Sequence, residues 1–200
     1  MRIEKITTIQ YVSDNGFKFT FEPIEDTVVL QQTPEGFTTK YLSRDTNPQS
    51  PDEDWDDTLF LVNYHRDCQI EHGNVITKDE VRSYYQNNEI SQTKKFHMFK
   101  LNAYIHSGVV LGLAPTSFPD ERWDVSHVGL VCVAREEWPL ETQARKAAQS
   151  LVEMRNAYLS GDVYGCVAET YDNNKNQLNQ NSCWGHVGFE YAKSELEEFT

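Results

Sequence analysis

Apolar positions along this chain mostly follow a period of two, or form short continuous runs, so the chain reads first as strands. Residues 6–12 (Ile-Thr-Thr-Ile-Gln-Tyr-Val) are rich in β-branched side chains, which suit a pleated surface. Asp14-Asn15-Gly16 is a turn signal. Phe17-Lys18-Phe19-Thr20-Phe21 alternates apolar and polar, as a half-buried strand does. Further strands are predicted at residues 27–31 and 37–42, joined by the turn Thr33-Pro34-Glu35-Gly36. Residues 1–43 therefore read as an N-terminal β-meander packed on a main α+β region, residues 44–200.

The pattern breaks at residues 44–57, which hold two prolines and six carboxylates and read as an irregular acidic loop. An apolar strand follows at residues 58–64. Thr77-Lys78-Asp79-Glu80 has the form of a capping box, and predicts a short helix through about residue 86 that ends at Asn87-Asn88. Residues 97–105 and 109–113 read as two strands around the tight turn His106-Ser107-Gly108, and residues 127–134 as a buried strand. Residues 141–159 carry Ala144, Ala147, Ala148, Leu151, Val152, Met154 and Tyr158 at roughly helical spacing, with Gly161 placed to stop the helix. Strands at residues 163–170 and 178–187 flank a polar turn, and an amphipathic helix at residues 189–199 follows. The predicted class is α+β: largely antiparallel sheet with two or three helices on one face.

Composition narrows the partners. The formal net charge is −13, and acidic surfaces repel nucleic-acid phosphate and anionic lipid. A passive reader of duplex DNA carries basic patches instead, so direct duplex binding is not expected. The same charge gives solubility and can attract a protein whose own groove is basic. No apolar run approaches the ~20 residues of a membrane-spanning helix. The first residues lack the apolar core of a secretory signal, so the expectation is a cytoplasmic protein. Cys68, Cys132, Cys166 and Cys183 have no CxxC spacing and are expected as reduced, buried thiols, with Cys166 and Cys183 able to face each other across the last hairpin.

Several familiar motifs are absent: P-loop, GxGxxG, HExxH and GxSxG. No cofactor or metal is assigned, although divalent-metal chemistry stays open. The polar residues that remain gather near predicted strand ends: His65, His106, Asp124 and His127. Histidine suits proton transfer near neutral pH, and an Asp can orient it. Each also has a structural reading, as a turn residue bonded to backbone. A second candidate is the loop Asp52-Glu53-Asp54-Trp55-Asp56-Asp57. It could present carboxylates as a phosphate-like row with Trp55 as an interface anchor, hold a divalent cation, or be a solvated acidic loop.

Motifs across roughly residues 45–190 resemble a recurrent family of proteins carried by phages, plasmids and other mobile elements. They are Ser50-Pro51 with Trp55-Asp56 and His65-Arg66; Tyr104-Ile105-His106-Ser107-Gly108; Trp123-Asp124 ahead of Val128-Gly129; Gly161-Asp162-Val163-Tyr164-Gly165; and Ser182-Cys183-Trp184-Gly185. Two positions depart from the family pattern, Ile105 and Asn181, where relatives often carry Asp. The mobile-element setting implies a bacterial host cell and a counter-defence role, anti-CRISPR or antirestriction. Two mechanisms follow. In the first, which the net charge and the acidic loop favour, the chain is a DNA-mimicking inhibitor that docks its acidic surface on a basic nucleic-acid-binding defence protein or its RNA complex. In the second, it is a nuclease that cleaves the effector's guide RNA with His106 and His65, Asp124 or His127. A non-catalytic regulatory domain is the third possibility.

Overall fold

The structure, a computed structural model, describes residues 9–12, 18–21, 24, 27–51, 56–66, 69–70, 75–105, 108–116, 118, 125–174 and 176–199. The fold is α+β and mostly antiparallel sheet. In chain order the elements are β1 (Ile9–Val12), β2 (Lys18–Phe21), β3 (Val29–Thr33), β4 (Gly36–Arg44), β5 (Leu59–Asn63), α1 (Lys78–Asn87), β6 (Phe96–Ile105), β7 (Val109–Leu113), β8 (Val125–Ala134), α2 (Glu141–Leu159), β9 (Val163–Asp172), β10 (Gln177–Val187) and α3 (Phe189–Glu198). Among the described residues, no helix is long and apolar enough to cross a membrane.

The chain divides into two compact units, residues 50–160 and residues 1–49 with 161–200. In the first, an antiparallel sheet runs β5-β8-β6-β7. Side chains alternate across a strand, so its two faces can be read from residue parity. Leu61, Phe99, Leu101, Val131 and Val133 pack with Ala144, Ala148, Leu151 and Val152 of α2. Phe60, Val62, Met98, Leu130 and Cys132 pack with Val81, and with Tyr84 and Tyr85, of α1. The helices thus cover opposite faces of this sheet, not one face as the sequence pattern suggested. That is why β8 is a continuous apolar run: a strand covered on both sides has no solvent face to keep polar.

The helix boundaries follow local chemistry. Thr77 caps α1, its hydroxyl accepting the Glu80 amide while the Glu80 carboxylate accepts the Thr77 amide. Asn88 ends it in the left-handed conformation, φ 57°, with its N–H donating to the Tyr84 carbonyl. α2 runs to Leu159, and Gly161 follows at φ 73°, a geometry glycine adopts without a Cβ penalty.

In the second unit the sheet runs β10-β9-β4-β3, with β1 and β2 paired separately. β4 registers on β9 from Gly36 opposite Asp172 to Arg44 opposite Tyr164. Of the N-terminal residues read as a meander, β3 and β4 therefore share a sheet with the last two strands, while β1 and β2 pair with each other. α3 packs Ala192 and Leu196 on Leu42, Tyr164 and Cys166. Phe37 stacks on Tyr171 with ring centroids 5.0 Å apart. Cys166 and Cys183 are cross-strand partners in the β9–β10 register, as their positions suggested. Cys132 and Cys166 are buried thiols, but Cys183 is exposed, because β10 is an edge strand.

Candidate functional site

Two of the four histidine and aspartate candidates come together. His65 and His127 line one cavity of about 210 Å³, with Tyr64, Lys78, Val81, Arg82 and Val128. β5 and β8 bring them there. Asn63 pairs with Gly129, and the Tyr64 amide continues the ladder by donating to the Val128 carbonyl at 2.9 Å. Past that bond β5 leaves the sheet. The Asn63 side chain, fully buried, accepts the His65 amide at 2.8 Å and fixes the turn. Lys78, Val81 and Arg82 stand three and four residues apart on α1, so they share one helical face.

A β-bulge sets His127. Leu101 pairs with Gly129 but Asn102 pairs with His127, which leaves Val128 as the extra residue. The bulge disturbs the ladder around Leu101 and Gly129, and their carbonyls lie 2.7 and 3.1 Å from the Tyr85 hydroxyl. Burial pushes the Tyr85 phenol up, so it stays a neutral donor. The Tyr85 ring lies 4.8 Å from the His127 ring. The His127 Nδ1 is 2.8 Å from the Oδ1 of buried Asn102. An amide oxygen only accepts, so Nδ1 carries the proton and Nε2 is the basic nitrogen. His127 is itself exposed. The result is an imidazole fixed in orientation and tautomer at a solvent-open cavity beside two cations.

This arrangement can bind an oxyanion and move a proton. Lys78 and Arg82 supply positive charge, and Arg82 also meets Asp79 at 3.3 Å, an exposed pair. A fixed neutral imidazole can act as general base, and a second, protonated one as general acid. Among the described residues, no group of three His, Cys, Asp or Glu side chains is arranged to hold a metal ion.

His106 and Asp124 lie outside the described residues, as do Asp52, Glu53, Asp54 and Trp55 of the acidic loop. Asp56 and Asp57 are exposed. The Asp56 Oδ1 accepts from the Thr58 amide at 2.7 Å and its hydroxyl at 2.6 Å, so that carboxylate also builds the turn into β5. Lys78, Arg82, Tyr85 and Asn102 escaped the sequence reading. Asn102 had a visible signal: a polar amide inside a strand that is otherwise mostly apolar. Lys78 and Arg82 had a weaker one, their spacing on the capped helix.

A third histidine, His97, is structural. His97 is buried; its Nε2 is 2.9 Å from the Trp138 carbonyl, and Arg135 Nη1 is 3.1 Å from its Nδ1. Both ring nitrogens are engaged, which leaves none for chemistry.

No protein-family model, curated protein or solved structure matches this chain.

Proposed function

We propose that residues 50–160 carry a phosphodiester site that cleaves RNA by histidine acid–base chemistry, in a mobile-element counter-defence protein that disables an RNA-guided host effector through its guide. The convergence of His65 and His127 with Lys78 and Arg82 on one cavity carries this reading over simple docking. A polyanion is repelled by a chain of net charge −13, so it needs a local cationic pocket of this kind. In the reaction, His127 Nε2 takes the proton of a ribose 2′-hydroxyl, and the 2′-oxygen attacks the adjacent phosphorus. The 5′-oxygen leaves with a proton from the His65 imidazolium. The products are a 2′,3′-cyclic phosphate and a 5′-hydroxyl. Lys78 and Arg82 offset the charge that builds on the phosphoryl oxygens.

The test is incubation with a guide-loaded effector, followed by a denaturing gel of the RNA. Shortened RNA is expected, with the rate reduced about 10²–10⁴-fold in His127→Ala. A 2′-deoxy substitution at the cut site should abolish cleavage. RNA left intact at every protein concentration sinks the proposal.

The net charge also favours a second reading, in which the exposed carboxylates dock on a basic effector. That reading expects intact RNA, lost target-DNA cleavage, and binding that weakens steeply with salt. Binding indifferent to salt counts against it.

A further inference from the structure

Cys166 of β9 stands directly opposite Cys183 of β10. Opposite residues of an antiparallel ladder point to the same face of the sheet. Their Cα atoms are about 4.5–5.5 Å apart, inside the roughly 4.4–6.8 Å that a disulfide spans. The pair ends a regular run that starts with Asn179 opposite Thr170, and the register shifts before His186. A covalent bond here would tie β10 to β9 just where the ladder breaks. The buried thiol of the other unit has no such neighbour: Cys132 stands opposite Phe60 on one side and Met98 on the other.

The two thiols are unequal. Cys183 is exposed, whereas Cys166 is fully buried. Cys166 packs with Ala192 and Leu196 of α3, and its Sγ lies 3.7 Å from the Ala192 carbonyl oxygen. Burial first, then the Cys183 thiol and the Glu195 carboxylate, push the Cys166 thiol up to about 11. The thiolate is the nucleophile in disulfide exchange, and access to solvent decides which thiol meets a reagent. Cys183 therefore reacts first. Once it carries a mixed disulfide, Cys166 is held opposite the sulfur it must attack, and that proximity offsets its small thiolate fraction.

We propose that Cys183 and Cys166 form a modification site for low-molecular-weight disulfides such as glutathione disulfide, in which Cys183 takes the reagent and Cys166 resolves it to a cross-strand disulfide. In the first step Cys183 loses its proton to water and its sulfur attacks one sulfur of glutathione disulfide. The S–S bond of the reagent breaks, and one glutathione leaves and takes up a proton. In the second step Cys166 loses its proton to water and its sulfur attacks the Cys183 sulfur. The mixed disulfide breaks and the second glutathione leaves, again protonated. Two protein thiols are oxidised to one disulfide, and one glutathione disulfide is reduced to two thiols.

Peptide mapping on the full chain tests this. The native chain is incubated with oxidised glutathione, its remaining thiols are alkylated with iodoacetamide in urea, and it is cut with trypsin. Lys175 lies between the two cysteines, so they fall in separate peptides, residues 156–175 and 176–193. These two peptides are expected joined, lighter than their sum by two hydrogens, in a chain that runs as a monomer on a non-reducing gel. Cys166→Ser should stop with one glutathione on Cys183. In Cys183→Ser, Cys166 should take up glutathione about tenfold or more slowly than Cys183 does in Cys166→Ser. Glutathione retained on Cys183 of the wild type with no joined peptides overturns the proposal, as does a link from either residue to another cysteine or to a second chain. Equal rates in the two variants overturn the assigned order.

Discussion

β8 and β10 are strands of similar length, each paired antiparallel and each with a break in register, yet their surroundings are opposite. β8 is central in its sheet, and its last seven residues are all buried. Its bulge is surrounded by packed groups, so the side chain it turns outward, His127, is held by Asn102 and the Tyr85 ring. β10 is an edge, and the side chain at its bulge, Trp184, has the Ser182 hydroxyl on its Nε1 and Gly165 beneath its ring. The difference teaches how firmly each setting holds a side chain. A group that must be aimed needs a buried scaffold behind it. An exposed edge strand holds its side chains less firmly.

Two glycines put that contrast to its sharpest test. A Cβ on Gly129 of β8 would stand 1.8 Å from the Val62 carbonyl oxygen, within the backbone of the neighbouring strand. A Cβ on Gly165 of β9 would stand 2.2 Å from the Trp184 ring, on the exposed edge strand. The first obstacle cannot move without opening the sheet, whereas the second can swing into solvent. Gly129→Ala is expected to cost about 3 kcal/mol or more, and Gly165→Ala about 1 kcal/mol with a red shift in tryptophan fluorescence. Urea unfolding measures both. Equal costs would mean that β10 is held as rigidly as β8, and the contrast would fail.

How much of this was legible beforehand follows from the range of the interactions. The capping box at Thr77–Glu80, the extent of α2 and the apolar run of β8 are set by residues within a turn or two, so the sequence pattern located them closely. Placing α1 and α2 on opposite faces depends on which parity of each strand meets which helix, a long-range matter that local periodicity does not carry. His65 and His127 were visible as polar residues at strand ends, but their meeting depends on the β5–β8 register. Lys78, Arg82 and Asn102 were missed because none stands beside a histidine in sequence. Cys183 was expected to be buried, since cysteine usually is, and its exposure follows from edge position alone.

Asn102 offers the next sharpening. If a buried scaffold aims His127, removing the scaffold should disturb the imidazole before it disturbs the fold. Asn102→Ala is expected to cost roughly 1 kcal/mol of stability. It should mix the His127 tautomers, seen as converging nitrogen-15 shifts of Nδ1 and Nε2, and slow RNA cleavage about tenfold, mainly in kcat. A variant that keeps a single tautomer would show that Asn102 merely fills space. Rescue by Asn102→Gln is not expected, because the longer chain moves the acceptor away from Nδ1.

The smallest effect concerns the helix that supplies Lys78 and Arg82. Acceptance of the Thr77 amide holds the Glu80 carboxyl below its ordinary range. A group with a lowered folded-state value contributes stability that is present above its unfolded value, about 4.5, and lost as pH falls through the folded one. Glu80→Gln keeps the capping geometry but removes the charge, so it isolates this contribution. Near neutral pH the wild type should exceed Glu80→Gln by a few tenths of a kcal/mol, since solvent screens a site this exposed. The gap should close as pH falls below the ordinary carboxylate range, which thermal midpoints at several pH values would register. A gap that persists in acid would assign the difference to the amide's geometry and not to the charge.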